Sequence, residues 1–104
     1  MNSRMILVAS LFVHPGCEVK FRQFETAAAR IMKKYGGCIE HVICPSASVP
    51  SGSLPHEIHV VSFPSTEQFE AYRGDVELAT LASLRQSAIA RTEIVIGKEG
   101  EPYL

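Results

Sequence analysis

EIHVVSFPSTEQFEAY, residues 57–72, changes its period halfway along. His56–Phe63 is a run of strand length rich in β-branched and aromatic residues, closed by Pro64. Ser65-Thr66-Glu67-Gln68 then has the form of a capping box. Ser65 accepts from the backbone at Gln68, and the Gln68 side chain reaches back. A helix therefore starts at this point and turns Phe69 and Tyr72 inward.

Met5–Val13 (MILVASLFV) is apolar almost throughout and ends at the turn His14-Pro15-Gly16, which reads as a strand covered on both faces. From Glu18 to Tyr35 the period changes. Phe21, Phe24, Ala28, Ile31, Met32 and Tyr35 recur at steps of three and four, one face of an amphipathic helix. Lys33 and Lys34 oppose the macrodipole in its last turn, and Gly36-Gly37 supplies the left-handed stop. Cys38–Cys44 is a second strand, and 45–55 (PSASVPSGSLP) is a loop. Beyond the helix at 66, Gly74-Asp75 makes a break. Asp75 can cap a further helical segment to about Ala90, and Thr92–Ile96 is a last strand before a polar tail. The order β-α-β-β-α-β predicts a single α+β domain with a four-stranded antiparallel sheet and both helices on one face, the ferredoxin-like arrangement.

The chain has 104 residues, 46 % of them apolar and 20 % charged, which suits one domain with one core. Ten basic residues against eleven acidic ones, scattered along the chain, leave no field for a partner held by phosphate charge. RNA binding through the sheet would also need aromatics on the central strands, and strand 56–63 has none before Phe63. Arg4 followed by Met5–Val13 imitates a short signal peptide. The apolar run ends without a small-x-small cleavage pattern and is too short for a bilayer. With three cysteines and no disulfide framework, the expectation is a cytoplasmic protein that contacts neither membrane nor nucleic acid.

Two helices cover one side of a four-stranded sheet, yet Ile6, Val8 and Phe12 alternate with Leu7, Leu11 and Val13. A second apolar face needs a cover, and a second copy packed sheet to sheet supplies it. A homodimer enclosing a cavity between the sheets is the expectation. The strand EIHVVSFPS entering the helix TEQFEAY, the following LASLRQSA and the KKYGG that closes the first helix resemble the dimeric α/β-barrel superfamily. The similarity runs over about residues 5 to 98. It is greatest to short bacterial proteins of unknown function related in fold to antibiotic-biosynthesis monooxygenases. Leu78 stands where that branch often has a tyrosine, and the Ser/Pro-rich 45–55 replaces a more charged loop. The resemblance implies a dimeric barrel with a small-molecule cavity and brings no catalytic residue set with it.

Cys38, His41 and Cys44 are zinc-binding residue types close together in sequence. On a strand, side chains alternate, so both cysteines point one way and His41 the other, with the cysteines about 20 Å apart at roughly 3.3 Å per residue. Zinc ligands must converge on one ion, so no metal site is read, and the cysteines are taken as small hydrophobes on a packed face. The more aliphatic parity should face the helices: Leu7, Ala9, Leu11 and Val13, with Ile58 and Val60. The other parity should line the cavity: Ser10, Phe12 and His14, with His59, Val61 and Phe63. On 38–44 both Ile39-His41-Ile43 and the cysteine parity are open. His59 and His14 are the candidate bases, and Ser10, Phe12, His41, Phe63 and Arg85 the candidate ligand contacts. Arg85 matches the "LR" of the resemblance. Two functions fit: an enzyme needing no cofactor that acts on a small aromatic or polyketide-like molecule, or a binding or regulatory module that uses the same cavity.

Overall fold

The computed structural model describes residues 4–103. β1 (Met5–Val13), α1 (Glu18–Lys33), β2 (Cys38–Ile43) and β3 (Glu57–Phe63) are followed by α2 (Thr66–Arg73), α3 (Val76–Ala79), α4 (Ala82–Ala88) and β4 (Ile89–Lys98). The strands form one antiparallel sheet in the order β2-β3-β1-β4. This is the ferredoxin-like α+β arrangement expected from the element order.

The local signals act as their chemistry predicts. Phe21, Phe24, Ala28, Ile31 and Met32 are the buried residues of α1. Gly36 takes φ 74° after the helix. Its N–H donates to the Lys33 carbonyl and that of Gly37 to the Met32 carbonyl, at 3.1 and 3.0 Å. That pair of bonds satisfies the last free carbonyls of α1. Ser65 Oγ accepts from Gln68 N at 3.2 Å, and Asp75 Oδ1 accepts from Leu78 N at 3.0 Å, so both predicted caps form. Asp75 also accepts from the Tyr35 hydroxyl and lies 3.1 Å from Lys34 Nζ. The Tyr35 hydroxyl, the Leu78 N–H and Lys34 hold its carboxyl down at about 2. One side chain thus caps α3 and ties it to the end of α1.

The helical segment expected from Asp75 to about Ala90 is two short helices, α3 and α4. Between them the Thr80 hydroxyl donates to the Glu77 carbonyl at 2.6 Å, a local bond that competes with helix continuation. The last strand is longer than the expected 92–96, because Ile89 already pairs with Val13 across a register shift.

Register corrects the expected faces. Opposed residues of an antiparallel pair share a face, and here Leu7 stands opposite Val61 and Ala9 opposite His59. Leu7, Ala9 and Leu11 do face the helices, but their companions are His59, Val61 and Phe63 rather than Ile58 and Val60. Ile58 and Val60 share the open face with Ser10 and Val8. Both parities of β3 are apolar enough to be buried, so aliphatic content could not choose between them.

β2 departs from strict alternation. Its register shifts between Ile39 and His41, with Cys38 opposite Ser62 and His41 opposite Val60. Glu40 is the extra residue of a β-bulge, so Cys38 and His41 share the open face instead of pointing apart. Cys38 and Cys44 are exposed and do not belong to a packed face.

Gly37 is buried, and a Cβ built there would fall on the Met32 side chain and the Phe63 ring. Gly37→Ala should lower the free energy of unfolding by about 1–3 kcal/mol in urea titrations. A loss of only a few tenths would show that this junction of α1 and β3 is loosely packed.

Candidate functional site

A half-open cleft of about 640 Å³ lies between the sheet and the helix layer. Leu7, Ala9, Phe24, Ala28, Val61 and Phe63 line its apolar part, while Ile94 and Ile96 of β4 form a half-exposed wall. Polar groups enter from five elements: Glu25 from α1, His59 from β3, Tyr72 and Arg73 from α2, Arg85 from α4 and Thr92 from β4. Mixed lining of this kind, mostly apolar with a few convergent polar groups, is the usual composition of a small-molecule site.

His59 sits at the floor, 4 % exposed. Its Nε2 is 2.8 Å from Glu57 Oε1 and its Nδ1 is 3.6 Å from Glu25 Oε2. A carboxylate only accepts, so Nε2 carries the hydrogen and donates it to Glu57. The Nδ1 contact is too long for a hydrogen bond. Nδ1 faces the carboxyl of Glu25, and in the neutral tautomer that donates from Nε2 it is the nitrogen with the lone pair. Burial pushes the Glu25 carboxyl upward; the charge of His59 in its protonated form opposes this, Glu57 adds to the rise and Arg85 reduces it. Burial, with Glu25 as a lesser cause, pushes the Tyr72 phenol up to about 12, so it stays a neutral hydroxyl. Arg85 Nη2 donates to Thr92 Oγ1 at 3.1 Å, which anchors the guanidinium on β4. The Arg73 guanidinium lies 5.6 Å from the centre of the Phe69 ring.

The residues singled out in the sequence separate into two sets. His59, Phe63 and Arg85 line the cleft. Ser10, Phe12 and His41 do not: they lie on the opposite, open face of the sheet, opposite Ile58, Arg91 and Val60 respectively. His14 is exposed in the turn after β1, where its backbone N–H donates to the Ala88 carbonyl at 2.9 Å. The expected grouping of His14 and His59 in one cavity between sheets therefore does not form, because the register places His59 under α1. Among the described residues, no three of His, Cys, Asp and Glu converge as metal ligands.

Glu25 and Glu57 were not singled out, though both left a trace in the sequence. Phe21, Phe24, Glu25 and Ala28 occupy the i, i+3, i+4, i+7 positions of one helical stripe, which puts a carboxyl on the apolar face of α1. Glu57 and His59 are two apart on a strand and so share a face. A carboxyl raised by folding binds more protons in the native than in the unfolded chain. Its contribution to stability is complete below the unfolded value and is lost as pH rises through the folded one. Glu25→Gln should therefore gain stability relative to the parent protein as pH rises from 4 to 6, read from urea midpoints at each pH. A constant difference across that range would mean that the Glu25 carboxyl is not desolvated.

No model of a known protein family matches the chain, and no curated protein matches it. Solved structures do. A protein of unknown function from Rhodopseudomonas palustris superposes with a TM-score of 0.86 at 12 % identity, covering 98 % of this chain and 86 % of the other. SnoaB, a cofactor-independent oxygenase from Streptomyces nogalater, gives 0.73 at 10 % identity, with 97 % of each chain covered. An uncharacterised NIPSNAP-like domain protein from Burkholderia xenovorans gives 0.67 at 16 % identity, covering all of this chain and 93 % of the other. At these identities the likeness is one of fold. The chain has the ferredoxin-like fold that this group of small uncharacterised proteins shares with a cofactor-independent oxygenase.

Proposed function

We propose that this protein is an enzyme that works without a cofactor on a small aromatic or polyketide-like carbonyl compound. The substrate is bound in the cleft between sheet and helices, with His59 as the base. One observation carries the reading. A buried imidazole, hydrogen-bonded at Nε2, is presented at the floor of a mostly apolar cleft large enough for a ligand of two or three rings. A positioned imidazole in a desolvated site is suited to proton abstraction. The oxygenase among the fold neighbours is consistent with the class of chemistry and adds nothing on residues.

The same proposal makes the working unit a homodimer in the cytoplasm. Ile6, Val8, Ile58 and Val60 occupy the centre of a sheet face that no helix covers, and Val95 beside them is 72 % exposed. Polar groups rim it: Arg4 bridges Glu40 and Glu99 at 2.9 and 2.7 Å, and the Ser62 hydroxyl donates to Glu40 at 2.7 Å. An apolar centre with a polar rim is the anatomy of a protein interface. Three free cysteines favour a reducing compartment. Among the described residues, no helix is long and apolar enough to cross a membrane.

Light scattering on a gel-filtration column should give about twice the 11.4 kDa chain mass; a monomer would refute the sheet-to-sheet pairing. Thermal-shift screening of bicyclic and tricyclic aromatic ketones should yield ligands that raise the melting temperature. Ala82→Trp, which fills the cleft from its exposed wall, should weaken them by about tenfold or more, whereas unchanged affinity would place the binding elsewhere. A binding module in place of an enzyme would be indicated by a ligand that binds and is never turned over, with or without His59→Ala.

A further inference from the structure

The cleft presents the imidazole nitrogen Nδ1 of His59 and the partly buried carboxyl of Glu25, 3.6 Å from each other. We propose that the reaction they support is enolisation of a carbonyl compound, with His59 Nδ1 as the base, Glu25 as the acid and Glu57 as the residue that positions the base. This rests on the cleft being the binding site and adds the reaction class and two residues to it.

The geometry supports each role. Glu57 accepts the Nε2 hydrogen at 2.8 Å, which in the neutral ring selects the tautomer with its lone pair on Nδ1, the nitrogen turned toward Glu25. Glu57 does not line the cleft, so it acts through His59. Glu25 does line it, and burial favours its protonated form. The charged and titratable groups around Glu25 are His59 and Glu57 on β3, Arg85 on α4 and Tyr72 on α2. Tyr72 is held neutral, and the Arg85 side chain is bonded to Thr92. A proton acceptor and a proton donor thus stand side by side before an apolar chamber.

The step balances without a co-reactant. Nδ1 takes the proton from the carbon next to the carbonyl group. The C–H electron pair forms the C=C bond, the carbonyl π pair moves to oxygen, and Glu25 gives its proton to that oxygen. The product is the enol, with an imidazolium next to a carboxylate. Transfer of the new proton from Nδ1 to Glu25 restores both groups. The reverse sequence at a different carbon would complete an isomerisation. Neither dioxygen nor a reductant is consumed.

2-Tetralone is a suitable probe, being a two-ring ketone with an activated CH₂ next to its carbonyl group. Binding is read by thermal shift, and chemistry by loss of the activated C–H signals in D₂O by proton NMR. The parent protein should accelerate that loss by about 10²-fold or more over free imidazole at equal concentration, and Glu25→Gln should remove most of the gain. Glu57→Leu should lower it about tenfold or more without moving the binding shift. In the same variant, ¹⁵N spectra should show the His59 hydrogen on both ring nitrogens, where the parent protein shows it on Nε2. That tautomer readout would not respond to a merely structural Glu57. Bound tetralone that exchanges no faster than with free imidazole overturns this inference and leaves the cleft reading intact. Exchange that survives Glu25→Gln removes Glu25 from its role. Absence of any binding shift overturns the cleft reading and this inference together.

Discussion

The make-up of the candidate site depends on one pairing in the sheet, Ala9 opposite His59. Because opposed residues share a face, that single register decision turns Glu57, His59, Val61 and Phe63 toward the helices and Ile58 and Val60 away from them. A slip of one residue would exchange the two sets. It would expose His59 and turn Ile58, Val60 and Ser62 toward the helices in its place, removing the imidazole from the floor of the cleft.

Burying an imidazole is costly unless its nitrogens are satisfied. The chain meets that requirement at Nε2, which is bonded to Glu57 on its own strand, while Nδ1 faces Glu25 of α1 at 3.6 Å. Glu25 in turn is desolvated by the apolar stripe it interrupts, with Phe21 and Phe24 buried to one side and Ala28 to the other. The core and the candidate site are therefore one structure. The aromatic residues that hold α1 on the sheet also create the low-dielectric surroundings that raise the Glu25 carboxyl beside the imidazole.

The helix layer is held together at its far end by Asp75, which joins α1 to α3 through Tyr35, Lys34 and the Leu78 N–H. That tie fixes the run from α2 to α4 at the junction of α2 and α3, and this part of the chain carries Tyr72, Arg73 and Arg85 into the cleft lining. The opposite sheet face has no such cover. Its apolar centre and polar rim form a surface distinct from the cleft.

Element type and order were determined by the sequence itself, because their causes are local: the three-four spacing of Phe21 to Met32, the glycine pair at 36–37, and the Ser65 and Asp75 caps each act within a few residues. The site was legible only in part. His59, Phe63 and Arg85 were found as individual residue types, while Ser10, Phe12, His14 and His41 were grouped with them through a face assignment that the fold reverses. Glu25 was visible as a charge on an apolar stripe but had no stated partner. Which strand parity faces the helices, where the bulge at Glu40 resets β2, and that Glu25 meets His59 were decided by tertiary structure alone. The reason is physical. A strand apolar on both faces carries no local preference for either, and contacts between residues 25, 57 and 59 exist only once α1 has docked on a sheet whose register is already set.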